Sequence, residues 1–557
     1  MGLRNSIIYL AKNIKLDKNY RSVLNYSESE LISLITNNNN LVYSANDYSF
    51  LRDTGTIQVK ASYSTVCQAN YMAFKNQDYS NKWFFAFIDE VIYKGDACTE
   101  IRYTIDKWST WFSYWSAKAC YVVREHVVDD TIGANTVSEG LDVGDYIINS
   151  AEYINYDTNV DIIVAVSDIN IKFNDNTYLE YYQNNNLGRV FQGEYYYLFK
   201  DNDKYENARK FIRMYDSAGK GDAISSVFMI PNTMTNMLSF KTTSSGTYTN
   251  SFTQQNVTVT YTYFYDPDVI QIETDRHINI NTTLNGYSPK NNKLFVYPYN
   301  CLEVTNNNGG SVIYQYEQFI NNQPRFNVLG AVTPGCSIRL VPLYYNKLEE
   351  ASLPRVSMTI RYGFNDGINL GKLPVGSWKS DVYINWLTQN GINQTWSMVK
   401  NSANAITSAS TGNASGMVGG VLGIVDSLVN NEQRQVVPDS IKGNTNNGDV
   451  CFASTNTCFQ VNKKSVRAEF ARIIDDYFTR QGYKINRIKV PNMSHRQNYN
   501  YVQIANEDNV AVPNNYNNIC PPATDLEEIN SLFRRGVTIW NNHTNLGDYS
   551  VSNNITS

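Results

Sequence analysis

Residues that could carry out acid–base or nucleophilic chemistry are few in this chain and widely separated. There are four histidines in 557 residues, and one of them lies in a locally charged group, Arg124-Glu125-His126. A histidine acts as a general base only when a nucleophile, a metal or a substrate lies within hydrogen-bond reach. No Gly-x-Ser-x-Gly, His-Glu-x-x-His or phosphate-binding glycine-rich motif accompanies the group. The sequence therefore predicts no catalytic site.

Two pairs of adjacent carboxylates, Asp129-Asp130 and Asp475-Asp476, are the other candidates for acid–base work. Sequence neighbours point in different directions on a strand or a helix, so neither pair forms a natural acid–base dyad. The second pair falls in the middle of a predicted helix, and we expect both side chains on its solvated face. The carboxylates of Asp201–Glu206 allow a calcium site, but a helix N-terminus, which favours acidic residues, is the preferred interpretation.

The eight cysteines are scattered along the chain, and none forms a Cys-x-x-Cys pair. That spacing does not indicate a zinc site or a redox motif. We expect free buried thiols, and Cys451 with Cys458 is the best candidate pair for a disulfide. The sequence therefore predicts a protein that is not an enzyme and that has no cofactor and no bound metal.

The composition favours a β-rich protein that does not grip nucleic acid. The chain has 42 Tyr and 23 Phe, and Tyr, Thr, Val and Ile favour strands, whereas Asn and Gly favour turns. A formal charge of −5 lacks the basic excess expected of a nucleic-acid-binding domain. The apolar patch near the N-terminus is too short for a secretion signal, so we expect synthesis in a cytoplasm.

Strand-forming composition extends over most of the chain. Gly246–Tyr265 alternates Thr with Tyr, Val and Phe, which predicts a hairpin with one solvated face. The tryptophan-rich Asp106–Trp115 is predicted to form a packed corner between strands. Further predicted strands are Ser6–Leu10, Thr56–Ala61, Trp83–Tyr93, Thr99–Tyr103, Cys336–Tyr345, Val356–Tyr362 and Val450–Val461.

A few helices interrupt the predicted strands. Apolar residues at helical spacing predict Lys204–Tyr215 and, most clearly, Lys463–Gln481, which Gly482 would cap. Trp378–Gln389 is predicted as a short helix or turn. A last helix is expected to open at Thr524, with Glu527 completing a capping box, and to end at Arg535. The apolar face of the clearest helix is predicted to consist of Val466, Phe470, Ile473, Ile474 and Tyr477.

One stretch, Asn401–Val425, contains no charged residue. As a helix of about 25 residues it would span roughly 37 Å, enough for the roughly 30 Å hydrocarbon core of a bilayer. Its second half has an apolar stripe and a glycine at every fourth position, a spacing that lets helices approach closely in membranes. The residues predicted for this membrane-active or plugging loop are Gly412, Gly416, Met417, Val418, Gly420, Val421, Leu422, Ile424, Val425, Leu428 and Val429.

Two plainer interpretations of this stretch stay open, a flexible glycine-rich surface loop and a buried hairpin in an ordinary interface. The apolar run from Gly416 to Val429 favours membrane activity, because a soluble linker has no need of it. The first half, Asn401–Asn413, is better seen as a polar arm. The segment is too weakly apolar to act alone, so it is expected to work in several copies around one axis.

Several motifs follow one another in order along nearly the whole chain. They are Ala69–Phe74 with Trp83–Ile88, Tyr121–Val127 with Asp129–Gly133, Ile474–Phe478 leading to Gly482-Tyr483 and Pro491-Asn492, and Gly536–Trp540. Together they resemble the tail-knob, or distal tail tube, proteins of small short-tailed phages that infect Gram-positive bacteria, such as the major tail proteins of streptococcal or staphylococcal podophages.

The resemblance implies a hexamer that conducts the genome, with a hydrophobic loop from each subunit that plugs the lumen and later perforates the host membrane. Asn401–Val429 lies where that loop is expected. The implied partners are further copies of the chain, other tail proteins of the virion, the host membrane during entry, and phage DNA passing through the lumen without sequence-specific binding. The implied location is the phage tail, and Arg124, Glu125 and His126 are implied to be structural.

Length and resemblance together predict a mainly β protein with several barrel-like or sandwich-like tube domains similar to phage tail hub proteins. A few short helices and the apolar glycine-rich loop complete this fold class. The predicted ranges are a tube domain at 1–135, an outer β-rich insertion at 136–295, a second tube domain at 296–397, the plug loop at 398–437, and an α+β part at 438–557.

Two other functions stay open at this point. The aromatic content also suits an adhesin of the phage tail that binds wall polysaccharide by stacking, without membrane activity. The tyrosines are spread through the chain rather than gathered with carboxylates, so use in cores and interfaces is the preferred interpretation. A cell-wall hydrolase is the weakest alternative, because no catalytic constellation accompanies it.

Overall fold

The chain forms two compact units, and each is assembled from separate stretches of sequence. Unit 1 comprises Met1–Gly144, Gly286–Val296 and Arg467–Ser557, and unit 2 comprises Asp145–Asn285 and Tyr297–Val466. The five-part division predicted from the sequence stays a prediction. The computed structural model describes residues 6–46, 48–51, 55–75, 77, 80–155, 160–182, 194–200, 206–238, 240–265, 270–306, 309–330, 337–347, 367–372, 375–377, 450–451, 458–514 and 519–556.

Within the residues described, unit 1 is built on a seven-stranded antiparallel sheet of order β3-β1-β6-β7-β8-β5-β4 and a five-stranded sheet of order β2-β29-β27-β10-β26. Strands β9 and β28 form a separate pair. With numbers that run through both units, the strands are β1 Ile7–Ala11, β2 Ser22–Leu24, β3 Leu41–Ala45, β4 Ser49–Leu51, β5 Thr56–Val59, β6 Tyr71–Lys75, β7 Phe84–Gly95, β8 Cys98–Ile105, β9 Trp115–Ala117, β10 Cys120–Glu125, β26 Tyr483–Lys489, β27 Tyr499–Ile504, β28 Ala511–Pro513 and β29 Val537–Trp540.

The seven-stranded sheet buries both of its faces. Because side chains alternate along a strand, Ile8 and Leu10 enter one core while Ala11 enters another. The first core also takes residues from β3 and β5, near the two ends of the strand order, so the sheet is curled around it. The strands predicted at Ser6–Leu10 and Trp83–Tyr93 are confirmed with shifted ends, as are those at Thr56–Ala61 and Thr99–Tyr103.

The helices of unit 1 pack beside these sheets. The predicted tryptophan corner is confirmed: Asp106 caps the helix Lys107–Trp111 by accepting from the Ser109 N–H at 3.1 Å, and the Trp108 indole donates to the Leu24 carbonyl at 2.9 Å. Buried indoles need such acceptors, because an unpaired polar group in a core is costly. The helices are α1 Glu28–Thr36, α2 Tyr63–Val66, α3 Lys107–Trp111, α6 Ala468–Gln481 and α7 Ala523–Arg535.

Three details of the predicted helices are wrong. The helix predicted at Lys463–Gln481 begins at Ala468, because the residues before it belong to a strand of unit 2. Its exposed side includes Ile473, which was assigned to the apolar face but is 68% exposed. Gly482 does end this helix, with a positive φ of 63°. The last helix has Pro522 rather than Thr524 as its N-cap, so no capping box forms there.

Unit 2 contains a four-stranded sheet of order β11-β25-β18-β19, a seven-stranded sheet of order β15-β16-β13-β12-β14-β23-β24 and a four-stranded sheet of order β17-β20-β21-β22, as far as its residues are described. Its helices are α4 Glu206–Ser217 and α5 Asn232–Asn236. The strands are β11 Tyr146–Asn155, β12 Val160–Val166, β13 Tyr195–Phe199, β14 Ile224–Pro231, β15 Phe240–Thr249, β16 Asn256–Tyr265, β17 Ile270–His277, β18 Asn300–Thr305, β19 Ser311–Tyr314, β20 Arg325–Gly330, β21 Ser337–Pro342, β22 Ile368–Lys372, β23 Val375–Ser377, β24 Val450–Cys451 and β25 Cys458–Val466.

The predicted hairpin is confirmed as β15 and β16, and its threonines lie on the solvated face. Two cross-strand hydroxyl pairs, Thr243 with Thr262 and Thr247 with Thr258, are each 2.9 Å apart. On the opposite face, Val259 and Tyr261 pack against α4 in one of the hydrophobic cores of unit 2. The helix predicted at Lys204–Tyr215 is confirmed, with its described end at Ser217. A mainly β fold is therefore confirmed in both units.

Candidate functional site

The chain passes from unit 1 into unit 2 twice, and Gly286–Val296 is the short stretch of unit 1 between the two passages. We call Gly286–Val296 the return segment. Within unit 1, this segment binds three carboxylates, those of Asp130, Glu139 and Asp475. The residues that lead into and out of unit 2 are therefore fixed to one another by charged contacts.

Glu139 lies at the centre of these contacts, and its side chain is fully buried. The carboxylate forms ion pairs with both Arg124 and Lys293, and it accepts from the Lys484 N–H at 2.9 Å. The Lys293 ammonium also lies 5.3 Å from the Tyr483 ring centroid. Burial lowers the pKa of Lys293, and the neighbouring Glu139 charge opposes that shift. One buried carboxylate therefore pairs with two buried cations.

Asp475 is the second anchor, and it contradicts the prediction that both carboxylates of its pair face solvent. The side chain is 1% exposed and accepts from the Tyr287 hydroxyl at 2.7 Å and the Lys290 N–H at 2.8 Å. Asn291 adds its backbone N–H at 3.1 Å and its side-chain amide at 2.7 Å. Four donors to one carboxylate offset the loss of hydration, whereas Asp476 is exposed as predicted.

Asp130 and Glu125 extend the same pattern. Asp130 accepts from the Tyr483 hydroxyl at 2.6 Å and the Asn292 N–H at 3.3 Å. The Glu125 side chain is 1% exposed, forms an ion pair with Lys489 and accepts from the Asn492 N–H at 2.8 Å. Asp130 and its neighbour Asp129 accept hydrogen bonds from different groups, so they do not form an acid–base pair.

His126 is buried in a single tautomer beside these carboxylates. Its Nδ1 accepts from the Tyr501 N–H at 2.7 Å, so Nε2 carries the proton and donates to the Thr479 carbonyl at 3.0 Å. Burial, reinforced by the Arg496 charge, lowers the pKa of His126 to about 3. A neutral ring with both nitrogens engaged by the backbone has no free position for acid–base catalysis.

This histidine makes the free energy of unfolding depend on pH. Between pH 6.5 and 3 the unfolded chain binds a proton at His126 and the folded chain does not, so stability falls as the pH decreases. From pH 7 to pH 5 the contribution amounts to about 2 kcal/mol. In urea titrations at the two pH values, His126→Gln should reduce the wild-type difference by that amount. An unchanged difference would contradict the neutral buried tautomer.

We call the contacts of Asp130, Glu139 and Asp475 with the return segment, together with the residues packed around them, the junction. Some of its residues could be found from the sequence and others could not. The charged group Arg124-Glu125-His126 does lie in the junction, but its ion-pair partners are Glu139 and Lys489 rather than members of the group. Glu139 and Lys293 sit in polar surroundings without any motif, so no local pattern singled them out. The arrangement saturates its charges with protein groups, and it can position chain segments rather than transform a substrate.

The predicted plug loop cannot be placed in the same way. All eleven of its residues between Gly412 and Val429 lie outside the described residues, as do the elements predicted at Val356–Tyr362 and Trp378–Gln389. Among the helices that the structure describes, none has the length and apolar character needed to cross a membrane. Cys458 is a free thiol in the described structure.

Comparison with protein-family models identifies the family of this chain. A family model described as the C-terminal domain of tail knob protein gp9 of Bacillus phage phi29 matches residues 263–554 of 557, which is more than half of the chain. The chain belongs to this tail knob family. A second model, the N-terminus of the caudoviral major tail protein, matches residues 4–116. The predicted resemblance and the predicted location in the virion tail are thereby confirmed.

Individual relatives agree with the family assignment over nearly full length. The chain is 26% identical to tail knob protein gp9 of Bacillus phage phi29, with 90% of each chain covered. It is 25% identical to the same protein of phage PZA, with 91% of each covered, and 22% identical to that of phage B103, with 99% covered. The relatives are thus named as structural parts of the phage tail.

A solved structure shows that the tail knob fold extends further than sequence similarity. The tail knob protein gp12 of bacteriophage C1 superposes with a TM-score of 0.60 at 11% identity. The match covers 99% of this chain and 100% of that chain. At this identity the likeness shows a shared fold, in agreement with the predicted mainly β class.

Proposed function

We propose that the chain forms a hexameric tail-knob conduit for genome ejection, and that apolar loops close the conduit and later perforate the host cytoplasmic membrane. The observation that carries the conduit is the β11-β25-β18-β19 sheet of unit 2. Its two outer strands each pair on one side only within the described residues. An open strand edge is a ready template for a strand of another chain.

The side chains on these two edges suit contacts between copies. The outer face of β11 exposes Tyr146 at 39%, Ile148 at 46% and Tyr153 at 53%. On the other edge Ile313 of β19 is 51% exposed. Exposed apolar side chains on an unpaired edge favour association, and two different edges give a head-to-tail contact that can close into a ring.

Between the two edges the same sheet face is polar and internally paired. Lys464 binds Glu303 at 2.7 Å, and Ser311 donates to Glu303 at 3.2 Å. Asn462 lies 3.3 Å from the same carboxylate. The charges on this face compensate one another and leave no basic excess. Such a face does not hold DNA through phosphate contacts, which supports passage without sequence-specific binding.

The loop remains a proposal from sequence. Its apolar residues follow the β23 strand and precede β24 in chain order, within the sequence of unit 2. The residues proposed to act in the loop are Gly412, Gly416, Met417, Val418, Gly420, Val421, Leu422, Ile424, Val425, Leu428 and Val429.

Deletion of Ser402–Asn431 separates the conduit from the membrane activity. We expect the intact chain to give six-fold rings with a central hole in negative stain and to release dye from liposomes. The deletion variant should still form rings but should lose most of the dye release, because the stretch supplies the apolar surface. Rings that still make liposomes leak would refute the loop assignment, and the absence of rings in both proteins would refute the conduit.

A further inference from the structure

Four tyrosines and one carboxylate of unit 2 form a surface that neither the junction nor the proposed conduit uses. Glu180, Tyr181 and Tyr182 come from the segment that precedes β13, whereas Tyr195 begins β13 and Tyr263 belongs to β16. Tyr181 is 47% exposed, and Glu180 is exposed as well. We call these five residues the tyrosine surface. Its most exposed members are open to a ligand from solvent.

The four rings of the tyrosine surface are arranged in two contacting pairs. The ring centroids of Tyr181 and Tyr195 are 5.1 Å apart, with the ring planes at 81°. Those of Tyr182 and Tyr263 are 4.9 Å apart, with the planes at 46°. The Tyr263 hydroxyl donates to Glu180 Oε2 at 2.9 Å, whereas Oε1 has no hydrogen-bond partner within the structure described. The surface therefore combines aromatic rings with one available acceptor.

Two buried tyrosines beneath this surface fix the backbone at Glu180. The Tyr197 hydroxyl donates to the Glu180 carbonyl at 3.0 Å, and the Glu180 N–H donates to the Tyr261 hydroxyl at 3.3 Å. Tyr182 is held in turn, because its hydroxyl lies 2.8 Å from Thr242 Oγ1. A surface that is already held in one arrangement loses little conformational entropy when a ligand binds. The tyrosine surface is thus preorganised for binding.

We propose that the tyrosine surface binds a neutral polysaccharide of the host surface. A sugar ring has apolar C–H faces and a rim of hydroxyl groups, so it needs a partner with both characters. Tyrosine supplies an apolar ring and a polar hydroxyl in one side chain. The Glu180 carboxylate accepts from a sugar hydroxyl and repels anionic polymers. Because the chain belongs to a phage tail, the polymer that it meets is one on the surface of the host cell.

The fold gathers tyrosines that lie scattered in the sequence, where their separation from carboxylates weighed against sugar binding. Strand β13 pairs with β16, so that Tyr197 lies opposite Tyr263. Glu180 and Tyr263, which are 83 positions apart, thereby come into hydrogen-bond contact. The surface lies outside the two strand edges and the apolar loop of the proposed conduit. Glycan recognition therefore adds to the conduit, and its failure would leave the conduit untouched.

An array of immobilised oligosaccharides tests this surface with the labelled full chain. The neutral probes are hexasaccharides of glucose, galactose, rhamnose and N-acetylglucosamine, and the anionic probes are hyaluronan oligosaccharides and glycerol phosphate oligomers. We expect retention on at least one neutral probe and none on the anionic probes, because Glu180 repels negative charge. Retention by no neutral probe, or by anionic probes alone, would overturn the proposal.

Two variants locate the binding on the tyrosine surface, with affinities measured by calorimetric titration of the retained glycan. Tyr181→Ala should weaken binding about three- to tenfold, because one aromatic contact is lost. Glu180→Gln should weaken it about threefold, since an uncharged acceptor forms the weaker hydrogen bond. The control Tyr63→Ala removes a tyrosine of unit 1 with similar exposure, 43%, and should bind as the wild type does. Unchanged affinity in Tyr181→Ala, or an equal loss in Tyr63→Ala, would also overturn the proposal.

Discussion

Replacing Ile313 by lysine is expected to leave a folded chain that no longer assembles into rings. Ile313 is 51% exposed on the outer strand β19, and Glu303 lies directly opposite it on β18. A lysine there gains a cross-strand partner of opposite charge, so the monomer should keep its stability. The same ammonium would be buried in an edge-to-edge contact, where lysine is the usual means of blocking strand pairing.

The head-to-tail geometry gives this prediction a sharper form. Tyr153→Lys on β11 should block assembly equally, because it charges the opposite edge. An equimolar mixture of the two variants should then give dimers and nothing larger, since each partner keeps one intact edge. Sedimentation velocity measures this directly. Phe252→Lys is the control, because it charges a still more exposed apolar side chain on the turn after β15, and it should assemble normally.

Two outcomes would contradict the edge contact. If Ile313→Lys still forms rings, then β19 lies outside the interface between copies. If the mixed variants give no dimer although each alone is monomeric and folded, the contact does not join β11 of one copy to β19 of the next. Circular dichroism of each variant distinguishes loss of assembly from loss of fold.

Local periodicity was sufficient to predict the elements whose two faces differ strongly. The β15–β16 hairpin could be predicted because its threonines alternate with apolar residues. The structure places the threonine hydroxyls on the solvated face. The same reasoning located α4 and the core of α6, where apolar residues recur at helical spacing. The tryptophan corner at Asp106–Trp115 was predictable because clustered indoles require a core.

Features decided by distant partners could not be predicted in this way. Lys463–Val466 was assigned to a helix, but its pairing with β11 and β18 makes it the end of a strand. Asp475 and Asp476 are adjacent residues of the same type, so the sequence does not distinguish them. Asp475 differs because Tyr287 and Asn291, more than 180 positions away, donate hydrogen bonds to it. The chain order gives no sign of those contacts, because the return segment belongs to unit 1 while its flanking stretches belong to unit 2.

The largest effect on stability is expected for Glu139→Gln. The substitution preserves shape but removes the carboxylate charge that faces the buried cations Arg124 and Lys293. Breaking a buried ion pair from one side costs about 3–5 kcal/mol, because the remaining charges have lost their compensation. The midpoint of unfolding in a urea titration should therefore shift to a markedly lower urea concentration. Protease should also cut the return segment sooner than in the wild type.

The double variant Glu139→Gln with Lys293→Met separates the effect of charge from that of hydrogen bonding at this junction. If uncompensated charge causes the loss, removing one of the two cations should restore part of the stability, since coupled neighbours are not additive. If the loss of one of the two acceptor oxygens dominates instead, the double variant should be no better than Glu139→Gln. Glu90→Gln is the matched control, because Glu90 pairs with Arg102 at 2.9 Å on the surface, both 56% exposed, where an ion pair contributes little. A control shift as large as that of Glu139→Gln would refute the view that burial gives the junction its strength.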